Sequence, residues 1–166
     1  KTRCRIVSQE ELLGAIEAGD TVIDVGSGTG FFTDDMAIRA ERVYAVDFQE
    51  GMHEFYREKG VPENVELVHS RAADVEIEHA DLVVSILSLH EIDVERALAK
   101  FQEVLGPGGR LFVIDWSANA ETDDIPPREK LYSAASAAEA VSEFFDVIAS
   151  EERYNTFKLV AETRQV

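Results

Sequence analysis

A single cysteine, Cys4, occurs among 166 residues, so the chain cannot form an internal disulfide. One isolated thiol suits a reducing compartment, and we expect a cytoplasmic protein. No apolar run approaches the roughly 20 residues that span a membrane. The basic first residues are not followed by the apolar block of a secretory signal. The sequence therefore predicts a soluble protein with no membrane partner.

Basic residues are also scarce, with 16 Lys and Arg against 33 Asp and Glu and a formal net charge of −17. This charge disfavours nucleic acid as a partner, because binding to phosphates depends on basic side chains. An acid-rich surface is one way in which halophilic proteins stay solvated. A halophilic source and an acidic mesophilic protein both remain open. The histidines and the cysteine lack metal-ligand spacing, so no metal is expected.

Short apolar runs alternate with segments of helical periodicity along most of the chain. Ser8 and Glu11 form a capping box, which predicts a first helix that ends at Gly19. The apolar runs predict buried strands over 21–24, 43–46, 65–69, 82–87 and 110–115. The periodic segments predict helices over 31–40, 51–59, 94–105 and 134–145. Such alternation is typical of a doubly wound α/β fold with a parallel sheet.

The end of the chain departs from this pattern. The apolar runs 145–150 and 157–162 are separated by only a few polar residues. A parallel return would need a crossover of a dozen or more residues, so the two runs must form an antiparallel hairpin. We therefore predict a Rossmann-like, seven-stranded sheet that is mostly parallel and carries an antiparallel C-terminal hairpin.

The stretch VIDVGSGTG places Gly26, Gly28 and Gly30 directly after the first predicted strand. Ligands of such sheets bind beyond the carboxyl ends of the strands, and glycine there permits positive φ and close approach. Asp47 ends the second predicted strand, where a carboxylate can accept hydrogen bonds from both hydroxyls of a ribose. The spacing is not the G-x-G-x-x-G of dinucleotide sites, and Asp24 stands where that fingerprint has an apolar residue. An adenosine other than a dinucleotide is favoured.

Four stretches in order resemble the class I S-adenosylmethionine-dependent methyltransferases: VIDVGSGTG, VYAVDFQ, DLVVSILSLHEI and FQEVLGPGGRLFVIDW. The antiparallel tail distinguishes that family from dinucleotide-binding folds. The resemblance is greatest to the small-molecule branch of quinone and other metabolite methyltransferases, whose tail is similar to PPREKLYS. It implies S-adenosylmethionine as the cofactor and one domain over 1–166. That domain would comprise an N-terminal helix in 1–20, a cofactor-binding half in 21–116, and a C-terminal helix and hairpin in 117–166.

The resemblance also implies cofactor contacts in segments that follow the strands. The implied contacts are Asp24, Gly26, Ser27, Gly28, Gly30, Asp47, Phe48, Met52, Ala72, Ala73, Asp74 and Ser85. Asp24 would order the glycine loop, Asp47 would hold the ribose hydroxyls, and Phe48 or Met52 would cover an adenine face. Arg71 stands where relatives usually carry an acid that meets the adenine amino group, so this chain departs from the family pattern there.

His90 and Glu91 follow the fourth predicted strand and are the candidate catalytic residues. Methyl transfer from a sulfonium is an in-line displacement that depends mainly on orientation, so a base is optional. If the acceptor is a hydroxyl or a protonated amine, either side chain could take its proton. A contact of His90 with cofactor or backbone is the alternative. Trp116, Tyr132 and Tyr154 are candidates for an acceptor pocket or, alternatively, for packing under a loop.

The predicted function is methyl transfer to a small-molecule acceptor. The fourth strand ends in SILSLHEI, without the Asn/Asp-Pro-Pro-Tyr/Phe motif that resembles amino-methylating nucleic-acid enzymes. The alternatives are a non-catalytic scaffold that binds the cofactor or a partner protein, and a protein methyltransferase. Little sequence precedes the first strand, so we expect an open pocket that a preceding segment or the second subunit of a homodimer completes.

Overall fold

The computed structural model describes residues 6–164, and Cys4 lies outside this range. Within it, one sheet contains the strands β1 Thr21–Val25, β2 Arg42–Asp47, β3 Val65–His69, β4 Ala80–Ile86, β5 Leu105–Trp116, β6 Phe145–Glu152 and β7 Thr156–Thr163. The α-helices are α1 Gln9–Gly14, α2 Phe31–Arg39, α3 Glu50–Lys59, α4 Val94–Val104 and α5 Ala134–Ser142. Short 3₁₀ helices cover Ala72–Asp74, Leu89–Glu91 and Arg128–Lys130. No helix in the described range has the length and apolar character needed to cross a membrane.

The strands lie in the order β3-β2-β1-β4-β5-β7-β6. β1 pairs in parallel with β2 and β4, β2 with β3, and β4 with β5. β7 runs antiparallel to both β5 and β6. The predicted fold, a doubly wound Rossmann-like sheet with an antiparallel C-terminal hairpin, is confirmed. Strand order reverses between β1 and β4, so the carboxyl ends of β1, β2 and β4 meet where ligands of such sheets bind.

Two core layers cover the two faces of the sheet. Successive side chains of a strand point to opposite faces, so Val83 of β4 packs with α4 and α5, whereas Leu82 and Val84 pack with α1 and α2. Phe112 and Val113 of β5 divide in the same way. Because both faces are covered, β4 and the second half of β5 carry buried side chains on both faces, as strands of parallel sheets generally do. This packing fixes the strand ends that carry the site.

The first helix is shorter than its sequence predicts. Ser8 caps its first turn as expected, but the predicted end at Gly19 is wrong, because α1 ends at Gly14. Glycine in a helix costs about 1 kcal/mol relative to alanine. The next backbone N–H, that of Ala15, donates to Leu12 O at 3.1 Å and closes a tighter turn. Gly19 instead takes a φ of 92° in the turn that leads into β1.

The strand after α4 begins earlier than predicted. Ala80 pairs with Leu105 and Leu82 with Arg110, so residues 106–109 form a bulge opposite the single residue between Ala80 and Leu82. The Gly-Pro-Gly-Gly stretch therefore lies inside β5, although the sequence predicted a strand over 110–115 alone. Bulges of this kind bend a strand without ending it.

Ionic contacts join the first helix to the last hairpin. Glu11 of α1 accepts hydrogen bonds from Arg153, which lies between β6 and β7, and from Lys158 of β7 at 3.1 Å. All three side chains are about three-quarters buried. The hydrogen bond from Arg153 holds the pKa of the Glu11 carboxyl below its usual range. The contact therefore favours the ionised carboxylate and connects the two ends of the described chain.

Candidate functional site

Three glycines follow β1, and they differ in what surrounds them. Gly26, Gly28 and Gly30 have φ values of 72°, 57° and 88°, which glycine adopts without the steric cost of a Cβ. A Cβ on Gly26 would lie 2.5 Å from the Cβ of Ser88, and one on Gly30 would lie 2.2 Å from the ring of Tyr56. A Cβ on Gly28 would meet no protein atom within 4 Å. Packing therefore requires Gly26 and Gly30, whereas Gly28 borders open space.

Asp47, the last residue of β2, holds the glycine loop. Its carboxylate accepts hydrogen bonds from Gly28 N and Gln49 N, both at 2.9 Å, and the residue is 8% exposed. Gly26 N also ties the loop to β2, because it donates to Val46 O at 2.8 Å. A carboxylate has about four lone-pair sites, so two remain for hydroxyl donors. Asp47 can thus hold the loop and still bind a ribose.

Ser27 carries an unsatisfied hydroxyl at the site. Its Oγ is buried and has no hydrogen-bond partner in the described part of the chain. Buried polar groups are normally paired, since leaving one unpaired costs about 1–3 kcal/mol. An unpaired hydroxyl, the free lone pairs of Asp47 and the missing side chain at Gly28 lie together. These residues fit S-adenosylmethionine, which carries ribose hydroxyls and a polar amino-acid end.

Asp24 lies beneath the loop. It is 3% exposed, and its Oδ2 accepts a hydrogen bond from the Thr33 hydroxyl of α2 at 2.6 Å. Burial raises the pKa of Asp24 to about 7, the Thr33 hydrogen bond lowers it, and the charge of Asp47 raises it further. The contact joins β1 to α2 across the loop, which is consistent with the loop-ordering role that the family resemblance implies.

Two serines hold the end of β4 against β1. The Ser88 hydroxyl donates to Val25 O at 2.7 Å, and the Ser85 Oγ lies 2.7 Å from the Ser88 Oγ. A hydroxyl has one proton to donate, so Ser85 is the donor of the second bond. Leu87, between them, has a φ of 60°, which is uncommon for a residue with a side chain. Strained backbone of this kind concentrates at functional sites.

A buried hydrogen-bonded pair of a histidine and a carboxylate joins the loop after β4 to the end of β5. The side chains of Asp115 and His90 are 1% and 9% exposed. The His90 Nδ1–H donates to the two Asp115 oxygens at 2.9 and 3.0 Å, and the His90 backbone N–H donates to Oδ2 at 2.9 Å. Asp115 was not among the predicted residues. The available signal was an acid at the end of a buried strand, as at Asp24 and Asp47.

Opposing effects act on the pKa of His90. Burial lowers it, but the hydrogen bond and charge of Asp115, together with the charge of Glu91, raise it more, and Lys130 lowers it slightly. The net result is a pKa above the ordinary histidine value. The ring therefore gains a proton more readily than an exposed histidine does.

A cavity of about 680 Å³ lies above the ends of β1, β2 and β4. The predicted residues on its wall are Gly26, Ser27, Gly28, Asp47, Phe48, Met52, Ala72, Ala73 and Glu91. The predicted residues off the wall are Asp24, Gly30, Asp74, Ser85 and His90. Wall residues that were not predicted include Phe31, Phe32, Leu87, Ile92 and Arg96. The structure thus brings most of the predicted cofactor contacts together and gives the others supporting positions.

Two arginines lie on the cavity wall. The Arg71 guanidinium stacks over the Phe48 ring, 5.1 Å from its centroid. Arg96 donates a hydrogen bond to Asp74 at 3.1 Å. Asp74 itself does not line the cavity. Where relatives usually place an acceptor for the adenine amino group, this site presents the donors of Arg71.

The remaining aromatic and histidine candidates lie elsewhere. Tyr154 is 81% exposed, Trp116 packs against the α1–α2 core layer, and Tyr132 packs against the α4–α5 layer, where burial raises its pKa. None of the three lines the cavity. Neither do the other histidines, His53, His69 and His79. Between residues 6 and 164, no three His, Cys, Asp or Glu side chains group as a metal site requires.

Comparisons with known proteins agree with one another. A family model described as methyltransferase domain matches residues 23–113. The chain is 34% identical over 131 residues to an Enterobacter sp. (strain 638) ubiquinone/menaquinone biosynthesis C-methyltransferase, covering 73% of this chain and 51% of that protein. It is 30% identical over 104 residues to a Clavibacter sepedonicus demethylmenaquinone methyltransferase, covering 60% and 42%. The chain thus spans about half the length, or less, of these curated relatives.

A solved structure covers nearly the whole chain. The crystal structure of a SAM-dependent methyltransferase from Aquifex aeolicus matches with a TM-score of 0.87 and 26% identity. The match covers 98% of this chain and 93% of that one. The similarity therefore extends beyond the cofactor-binding half to the C-terminal hairpin.

Proposed function

Because the chain belongs to the S-adenosylmethionine-dependent methyltransferase family, we propose that it transfers a methyl group from that cofactor to a small-molecule acceptor. The observation that carries the proposal is the extent of the cavity. It runs from the glycine loop and Asp47 past the end of β4 to Leu87 and Ile92. A cavity that continues beyond the nucleoside contacts has room for a second ligand beside the first.

The chain's own residues account for cofactor binding. Asp47 would hold the ribose hydroxyls, the Ser27 hydroxyl would pair with the amino-acid end, and Gly28 would let the backbone approach. Phe48 and Met52 on the wall would cover the adenine. When bound, S-adenosylmethionine supplies a methyl group that its sulfonium already activates. The protein's main task is to hold the acceptor close to that methyl and in line with it, an effect worth about 7–11 kcal/mol in favourable cases.

Beyond the proposed cofactor contacts, the cavity wall combines apolar side chains with a few charged ones. Phe31 and Phe32 pack edge to face with ring centroids 5.0 Å apart, and Leu87 and Ile92 are apolar. The charged side chains on this part of the wall are Glu91, Asp93 and Arg96. Concave, mostly apolar sites with a few polar groups are typical of small-molecule binding. The quinone-pathway names of the two curated relatives support the same acceptor class. The net charge of −17 and the single cysteine support a role in the cytoplasm and not on nucleic acid.

Calorimetric titration with S-adenosylmethionine, S-adenosylhomocysteine and NAD tests the cofactor assignment. We expect both adenosyl compounds to bind and NAD not to bind. Incubation with labelled S-adenosylmethionine and a panel of hydroxylated aromatic acceptors, peptides and RNA then tests turnover. Product formation from the aromatic compounds alone supports the proposal. Binding without any product would favour a cofactor-binding scaffold, and labelled peptide would favour a protein methyltransferase.

A further inference from the structure

Three polar side chains form a path from the buried sheet to the cavity. The Asp115 carboxylate accepts the Nδ1–H of His90, and the other ring nitrogen of His90, Nε2, lies 3.7 Å from Oε1 of Glu91. Glu91 lines the cavity and its side chain is 58% exposed, whereas His90 lies off the wall behind it. The 3₁₀ helix Leu89–Glu91 places the two side chains next to each other.

Asp115 determines which nitrogen of His90 carries the proton. An ionised carboxylate only accepts hydrogen bonds, so the facing Nδ1 must be protonated. Asp115 also accepts from the backbone N–H groups of His90 and Trp116, at 2.9 and 2.8 Å, which fixes its position. In the neutral ring, the lone pair is therefore on Nε2, the nitrogen nearer to Glu91. His90 is oriented as a proton acceptor on that side.

Charged groups face His90 from three elements. Asp115 lies on β5, Glu91 lies in the same 3₁₀ helix, and Lys130 lies in the 3₁₀ helix Arg128–Lys130. Burial and Lys130 disfavour the imidazolium, whereas the two carboxylates favour it and outweigh them. A proton that reaches Nε2 is thus stabilised by an acid on each side. An exposed histidine beside a single carboxylate would lack this second acid.

We propose that Glu91, His90 and Asp115 form a proton relay, in which Glu91 takes a proton from the methyl acceptor and His90, held by Asp115, takes it from Glu91. This inference rests on the proposed methyl transfer and specifies its acceptor class: a molecule whose reacting group still carries a proton at neutral pH, such as a hydroxyl. Glu91 is the catalytic residue, and His90 and Asp115 are positioning residues.

The proton and electron balance is simple for a hydroxyl acceptor. An oxygen lone pair forms the new bond to the methyl carbon, the S–C bond breaks, and its electron pair stays on sulfur, which becomes neutral. The O–H proton moves to the Glu91 carboxylate and then to Nε2 of His90. The resulting imidazolium lies between Asp115 and Glu91 and loses its proton to solvent after the product leaves. An acceptor that is already anionic would not need the relay.

Kinetics on three variants test the relay, at saturating cofactor and a hydroxyl acceptor that the wild type methylates. Glu91→Gln and His90→Gln should lower kcat by about 10²-fold or more, the usual contribution of a general base. Their affinity for S-adenosylmethionine should not change. Asp115→Asn should lower kcat and move the acidic limb of its pH profile to lower pH, because the variant ring loses the charge that favours its proton. Because the Glu91 side chain is mostly exposed, Glu91→Gln should fold, so it still tests the relay if Asp115→Asn does not fold.

An exposed His–Asp pair provides the matched control. His79 Nε2 lies 3.2 Å from Asp81 Oδ1, with both side chains well exposed, and neither residue lines the cavity. His79→Gln should leave kcat, its pH profile and cofactor affinity unchanged. An equal loss in His79→Gln and His90→Gln would show a general effect of histidine removal and would overturn the relay.

Nitrogen-15 NMR of the histidine rings adds a readout that needs no turnover. In the wild type, neutral His90 should carry its proton on Nδ1, and its pKa should lie above the ordinary histidine value. In Asp115→Asn, the amide can donate to Nδ1, so the proton should move to Nε2.

A neutral Nε2–H ring in the wild type, or full kcat in Glu91→Gln and His90→Gln, overturns the relay alone. Failure of the wild type to bind S-adenosylmethionine or to methylate any acceptor overturns the proposed function, and the relay with it.

Discussion

Replacing the loop glycines one at a time by alanine should separate packing from ligand binding. A left-handed φ costs a residue with a Cβ about 1–2 kcal/mol, and all three positions have one. At Gly30 the new Cβ would also lie 2.2 Å from the Tyr56 ring, and overpacking of this kind adds about 1–3 kcal/mol. At Gly28 the Cβ meets no protein atom. Gly30→Ala should therefore cost about 2–5 kcal/mol of unfolding free energy, against about 1–2 for Gly28→Ala.

The order of the two variants should reverse for ligand binding. Gly28 lies on the cavity wall and Gly30 does not, so Gly28→Ala should weaken S-adenosylmethionine binding by tenfold or more, a loss of about 1.4 kcal/mol. Folded Gly30→Ala should bind closer to the wild-type value. Chemical denaturation and calorimetry measure the two quantities on the same samples. Equal stability losses, or wild-type affinity in Gly28→Ala, would refute the assignment of Gly28 to the ligand and Gly30 to packing.

Three further substitutions test the site and its supports. Asp47→Asn should weaken S-adenosylmethionine and S-adenosylhomocysteine equally in calorimetry, by about 1.5–3 kcal/mol for the charge-assisted hydrogen bonds; an effect on only one would contradict a ribose contact. The Asp24→Asn variant should become more stable than the wild type as pH rises. Burial raises the pKa of Asp24 to about 7 in the folded protein, so its ionisation destabilises the wild-type fold between the unfolded-state pKa and pH 7, by up to about 4 kcal/mol. A difference in unfolding free energy between the variant and the wild type that stays constant from pH 5 to pH 8 in denaturant titrations would disprove the raised pKa. Glu11→Gln should cost about 1 kcal/mol in thermal unfolding, by weakening the contacts with Arg153 and Lys158; the cost should shrink in high salt.

The sheet could be predicted from the sequence because both of its faces are covered. Runs such as Leu82–Leu87 are apolar apart from Ser85, and their shortness and β-branched content favour a buried strand over a helix. The spacing of Gly26, Gly28 and Gly30 and the strand-end position of Asp47 can also be recognised from residues that lie close in sequence. The bulge at 106–109 was missed, because strand pairing with distant residues decides it. The helix end at Gly14 was missed although its cause is local, a tighter turn closed by the hydrogen bond from Ala15 N–H to Leu12 O.

The contacts around His90 and around the loop glycines depend on residues that are distant in sequence. Asp115 lies 25 residues after His90, and only the parallel pairing of β4 with β5 brings them together. The steric demand at Gly26 likewise comes from Ser88, and that at Gly30 from Tyr56. The sequence identifies an acid at the end of a strand, but the hydrogen-bond partner of that acid is known only once the strand order is known.

The contact between Glu11 and Arg153 has a consequence for how the polypeptide matures. Ribosomes release the amino end first, so α1 emerges long before its cationic partners are made. The electrostatic part of its docking therefore waits until Arg153 and Lys158 have been made. In a nascent chain arrested before Arg153, the first helix would keep its apolar packing at Leu12 but lack its ionic contacts. A protease that nicked the hairpin of β6 and β7 would weaken the same attachment.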